Sequence, residues 1–119
     1  MNEEKIVNYM LTKQYIEGKY TCWEFVQDIF RDEYGMELPD YPMGEVQAEF
    51  KNKVKSNFNH IKVDKKDAKE GDMIVFSAFA NQHAGVMLDN DNFIHLGEKN
   101  VMISQLSNIG GNYAIYRAV

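Results

Sequence analysis

Between residues 22 and 30, apolar side chains recur at three- and four-residue spacing: Cys22, Phe25, Val26, Ile29 and Phe30 share one face. Glu24, Gln27, Asp28, Arg31 and Asp32 occupy the other. This is the period of an amphipathic helix, and Gly35 supplies its stop. A shorter helical pattern over residues 3 to 17, built on Ile6, Tyr9, Met10 and Leu11, runs to Gly18. Both prolines fall in MELPDYPMG, which reads as a loop, and Val46, Phe50 and Val54 place a narrow apolar stripe on a surface helix from Glu45 to about Asn57.

After the charged turn VDKKDAKEGD the period changes. MIVFSAF, HAGVML, NFIHL, VMISQL and YAIYRAV are short runs rich in β-branched, aromatic and Met residues, separated by NQ, DNDN, GEKN and SNIGGN. Those spacers carry the Asn, Asp and Gly of tight turns, so a meander of about five antiparallel strands is expected. Helices first and strands second is the α+β order, with helices packed on one side of a sheet. The 119 residues are sized for a single domain, 1–119, with no internal repeat or linker.

Charge narrows the partners. A net charge of −5 lacks the basic stripe that neutralises nucleic-acid phosphates. No apolar run is long enough for a signal peptide or a membrane span, so as written the chain is expected to stay in the cytoplasm, with no membrane partner. One cysteine excludes an internal disulfide, and no Cys/His cluster has the spacing of a structural zinc site.

That cysteine opens the main helix. Thr21 and Glu24 form an S/T-x-x-E capping box, which makes Cys22 the first helical residue. The positive end of the helix dipole lowers the pKa of a thiol placed there, although a capped helix start with an inert, packed cysteine is the blander reading. A base must come from His60, His83 or His95. His60 reads as a surface residue in a polar stretch. His83 and His95 sit on successive strands of one hairpin, where two imidazoles can be neighbours. One can take the thiol proton while the other orients it, as in a cysteine triad. A metal held by the same histidines with Asp89 or Asp91 is the alternative, but no compact motif joins them. Gly71 and Asp72 read as structural turn residues, and Trp23, Phe25, Phe76 and Phe79 as core or groove wall.

Taken in order, TCWEFVQDIFRDEYGMELP, EGDMIVF, HAGVML, DNDNFIHL and VMISQL resemble the NlpC-type family of papain-like cysteine peptidases, from about residue 15 to the end. The resemblance implies a papain-like fold and a cysteine hydrolase (peptidase or amidase) that opens an amide or isopeptide bond in a peptidoglycan stem peptide. It implies Cys22 as nucleophile, His83 as base and His95 as orienting group, with Tyr15 lining the site and no cofactor or metal. The family most often has Asp before the cysteine and a small residue after it. Here Thr21 and Trp23 stand there, and Trp23 is expected to shape the substrate groove. The Cys-Trp pair is similar to a subset found in bacteriophage tail proteins. That likeness sets beside the hydrolase a non-catalytic assembly or binding domain with a phage or assembly partner, associated with the virion or exported without a visible signal.

Overall fold

The computed structural model describes residues 1–38, 60–78 and 81–118. The expected surface helix with Val46, Phe50 and Val54, the two prolines and Phe79 lie outside these residues. Among the described residues the elements are helix α1 (Glu3–Thr12), helix α2 (Cys22–Tyr34) and strands β1 (His60–Val63), β2 (Met73–Ala78), β3 (Asn81–Met87), β4 (Asn92–Leu96), β5 (Val101–Gln105) and β6 (Tyr113–Ala118). None of the described helices is long and apolar enough to cross a membrane.

Helix α2 forms as its periodicity requires. Its capping box is present, and Gly35, left-handed at φ 65°, closes it with its N–H bonded back to the Arg31 carbonyl. The whole apolar stripe is buried, from Cys22 to Phe30. Helix α1 is capped by Asn2, whose side chain accepts from the Lys5 N–H at 2.9 Å, and it is shorter than expected. It ends at Thr12 because residues 13–20 find other partners. The Tyr15 N–H donates to the Lys99 carbonyl at 3.0 Å, and Ile16 bridges Tyr20 across a turn at Gly18. Asp28 of α2 holds this segment from the other side, accepting from Tyr20 Oη and pairing with Lys13 and Arg31. Tyr9 anchors α1 edge-on against Phe25, ring centroids 5.5 Å apart, while Met10 and Leu11 remain exposed.

Among the described residues the sheet has six antiparallel strands in the order β1-β6-β2-β3-β4-β5, which corrects the expected five-strand meander. Strands β2 to β5 do follow one another, but β6 returns to lie between β2 and β1. The additional strand, β1, is the HIKV segment at the sheet edge. Only Val63 of it is buried, so it carries no alternating signal.

Alternation along the central strands divides the core. Met73, Val75, Ala84, Val86, Ile94 and Leu96 pack with the buried face of α2. Ile74, Phe76, Met87 and Phe93 point the other way and form a second cluster with Val63, Ala68, Leu106 and Ile115. The Gly71-Asp72 turn is structural, as expected. Asp72 is fully buried and receives a two-pronged ion pair from Arg117 of β6, Nε to Oδ1 and Nη2 to Oδ2, both at 2.8 Å. The Lys69 N–H adds a third bond at 2.9 Å. The start of β2 is thereby tied to the far end of β6.

Candidate active site

The side chain of Cys22 leaves the first turn of α2 and reaches the plane of the sheet. Pairing between β3 and β4 begins only at Gly85 opposite His95. The Ala84 N–H, one residue earlier, donates to Cys22 Sγ at 3.4 Å. The thiol thus takes a hydrogen bond where β4 has not yet paired. Because the Ala84 nitrogen is bonded to the carbonyl carbon of His83, ordinary bond lengths keep Sγ within about 6 Å of the His83 Cα.

The helix start is built as expected: Glu24 accepts from the Thr21 N–H at 3.3 Å and from Thr21 Oγ1 at 2.8 Å. Its electrostatic consequence is not as expected. Cys22 is only 4% exposed, and burial pushes its thiol up to about 12. The Ala84 hydrogen bond lowers it, the Glu24 carboxylate raises it further, and desolvation wins. At neutral pH the resting side chain is a thiol, not a preformed thiolate.

His83 and His95 lie on the sheet face opposite the one that packs α2. The register sets Gly85, not His83, directly across from His95, so the two imidazoles are diagonal neighbours. Gly85 makes their arrangement feasible. A Cβ there would stand 2.8 Å from the Ile94 carbonyl oxygen and 3.1 Å from the His95 Cβ. Phe76 joins the two rings: His83 stacks on it and His95 meets it edge-on, each at a centroid distance of 5.4 Å. Phe93 flanks His95 at 5.1 Å.

Burial sets the charge state of both. It lowers the His83 pKa below the usual histidine value, with Glu98 opposing. It pushes His95 down to about 4, and His83 adds to the effect. Both imidazoles are therefore neutral at pH 7, the state in which one can accept a proton and the other can orient it. His95 Nε2 lies 2.9 Å from Ser104 Oγ on β5, while Nδ1 is buried with no hydrogen-bond partner among the described residues.

The low His95 pKa has a consequence for stability. Between pH 6.5 and about 4 the unfolded chain takes up a proton at His95 that the folded chain refuses, so the His95 contribution to stability should be constant above this window and fall by about 3 kcal/mol across it, with the lowered His83 adding to the loss. Losses from Asp28 and Asp89, both held below the ordinary carboxylate pKa, come at lower pH. Urea unfolding of the wild type and of His95→Gln at pH 7 and pH 4.5 checks this. The variant should show a visibly flatter dependence, and equal slopes would refute the assignment.

Of the other residues singled out in the sequence, Tyr15 is 40% exposed, and its backbone is bonded to the turn that carries Glu98 and Lys99. Through Glu98, which acts on His83, that turn marks the rim of the site. Trp23, read as core or groove wall, is core: it is 1% exposed, because the residue after Cys22 turns into the α2 packing face, so it does not line the groove it was expected to shape. His60, read as a surface residue, is half-buried on strand β1 against Tyr116. Three strand spacings, about 14 Å, separate its strand from β3. Asp89 and Asp91 bond within and next to their turn, to Asn92 and to Ser107 respectively, and no group of three metal-ligating side chains forms among the described residues.

Sequence reasoning missed Ser104, the Ala84 amide and the role of Phe76 between the histidines. The period-2 pattern of VMISQL, which puts Ser104 on the face of Met102, was the available signal for the first. A family model described as the NlpC/P60 family matches residues 8–118. No curated protein matches the chain.

Proposed function

Because the chain belongs to the NlpC/P60 family, in which cysteine peptidases and amidases that act on peptidoglycan peptides are general, we propose that it hydrolyses an amide or isopeptide bond of a peptidoglycan stem peptide through Cys22, His83 and His95. The observation that carries this reading is the hydrogen bond from the Ala84 amide to Cys22 Sγ, which brings the thiol beside the backbone of His83.

In this scheme His83, neutral at pH 7, removes the Cys22 proton as the sulfur attacks the substrate carbonyl. The Ala84 N–H stabilises the charge gathering on sulfur, and backbone N–H groups at the start of α2 receive the oxyanion. His83 then gives its proton to the leaving amine. A thioester remains on Cys22, and water, deprotonated by His83, releases the acid and restores the thiol. A thiol held near 12 suits this order of events, because the proton leaves only when the base and an electrophile are both present.

The test is to incubate the protein with purified stem peptides at neutral pH and follow new free amines by mass spectrometry, quenching in acid to trap the acyl group on Cys22. Product amine together with an acyl adduct on Cys22 is expected. A folded protein that leaves every stem peptide intact would sink the proposal.

The burial of Cys22 favours a second reading, a binding or assembly domain that keeps the fold without turnover. It predicts self-association or partner capture that is unchanged in Cys22→Ala. A strictly monomeric protein with robust turnover, by analytical ultracentrifugation and the peptide assay, argues against it.

A further inference from the structure

His95 is a buried imidazole, 8% exposed, with one nitrogen engaged and one not: Nε2 is 2.9 Å from Ser104 Oγ, and Nδ1 meets no hydrogen-bond partner among the described residues. A neutral imidazole carries one N–H and one lone pair, so whatever Ser104 does at Nε2 dictates the opposite role at Nδ1. A serine hydroxyl can donate or accept, and the two choices have opposite consequences for His83.

If Ser104 donates to Nε2, Nδ1 carries the proton and offers His83 only a donor. His83 would then be held through its own lone pair, the one it needs for the thiol proton. If Ser104 accepts from Nε2–H, Nδ1 presents a lone pair. That lone pair can accept an N–H of His83, leaving the second His83 nitrogen open to receive a proton. It also favours the imidazolium that His83 becomes. Phe76 and Phe93 pack against the ring and Nδ1 has no hydrogen-bond partner among the described residues, so among them Ser104 sets the tautomer.

We propose that Ser104 is a positioning residue that accepts from His95 Nε2–H, fixing His95 as the tautomer whose buried Nδ1, without a partner among the described residues, keeps its lone pair open to an N–H of His83 during the reaction. The assignment rests on the hydrolase reading for its catalytic meaning, but its physical content, the tautomer of His95, does not. Ser104 is suited to the task by its place. It stands across from Phe93 on β5, diagonal to His95 and on the same face of the sheet. Its half-buried hydroxyl can turn its own hydrogen toward solvent while accepting from the ring.

Two measurements test it on the full chain. Long-range proton–nitrogen correlation spectra at neutral pH report which His95 nitrogen is protonated. The wild type should show Nε2–H, Ser104→Ala should show a mixture or the Nδ1–H form, and Ser104→Thr, which keeps the hydroxyl, should restore the wild-type pattern. Stem-peptide turnover should fall about 10- to 100-fold in Ser104→Ala, as when an orienting partner is lost, and recover in Ser104→Thr. A folded Ser104→Ala protein with the wild-type His95 tautomer, or with turnover within about twofold of wild type, would overturn the proposal. If the wild type itself turns over no stem peptide, the hydrolase reading falls, and the tautomer spectra still decide the role of Ser104.

Discussion

Replacing Cys22 by alanine is expected to lower stem-peptide hydrolysis at least about a thousandfold, because losing the nucleophile leaves only binding and oxyanion contacts to act on the substrate. The fold should survive. Cys22 is a small buried side chain whose removal leaves one modest void and one unsatisfied amide, at Ala84, for a cost of about 1–2 kcal/mol. Cys22→Ser is the sharper control. Its hydroxyl can still accept from the Ala84 N–H, so stability should lie closer to wild type, but an alcohol beside a neutral imidazole is a much weaker nucleophile than a thiol. Initial rates on stem peptides, with thermal unfolding measured on the same preparations, separate the two effects. Full activity in either variant would remove Cys22 from the mechanism and leave the family fold without its chemistry.

The largest expected effect on stability comes from Asp72→Ala. Its carboxylate is fully buried and accepts three hydrogen bonds, two from the Arg117 guanidinium and one from the Lys69 amide. Removing it strands the amide and leaves a cation facing the site where its partner stood. Breaking a buried pair from one side costs about 3 kcal/mol or more, equivalent here to a drop of roughly 10 °C or more in Tm. Arg117 is partly exposed and can turn toward water, which holds the cost near the lower end. The loss should appear first at β6 and β1, because Arg117 pins the end of β6, with which β1 pairs. Amide exchange along β6, with denaturant unfolding for the total, checks both size and place. An unchanged midpoint would show that the Gly71-Asp72 turn is held by its backbone alone.

What the sequence made legible follows local periodicity. Thr21, Glu24, the stripe from Cys22 to Phe30 and Gly35 are all short-range signals, and α2 formed as they indicated. HAGVML and NFIHL put the two histidines on neighbouring strands, and the register, which sets them on one sheet face, came only with the structure. Features set by distant contacts were hidden. Residues 13–17 left the helical pattern because Lys99 and Asp28 hold them, and β1 showed nothing because only one of its four side chains is buried. The insertion of β6 between β1 and β2 pairs Met73 with Tyr116, a choice that no local pattern encodes.

At the site the limit was burial. The capping box located Cys22 correctly, but the chemistry of a helix start depends on how much water remains around the thiol, which is decided by the strands packed upon it. Whether Trp23 was core or groove wall was hidden for the same reason, its neighbours being invisible from its own segment.

The bond between the Ala84 amide and Cys22 Sγ has a consequence for the order in which this molecule holds together and reacts. The sulfur serves as a rung at the open end of the β3–β4 ladder, so the atom proposed as nucleophile is also a piece of scaffold. An acyl group drawn onto that sulfur makes it a poorer acceptor and releases the amide. In the proposed cycle each turnover would draw one stitch of the sheet tighter as charge gathers on sulfur, loosen it in the thioester and restore it with the thiol.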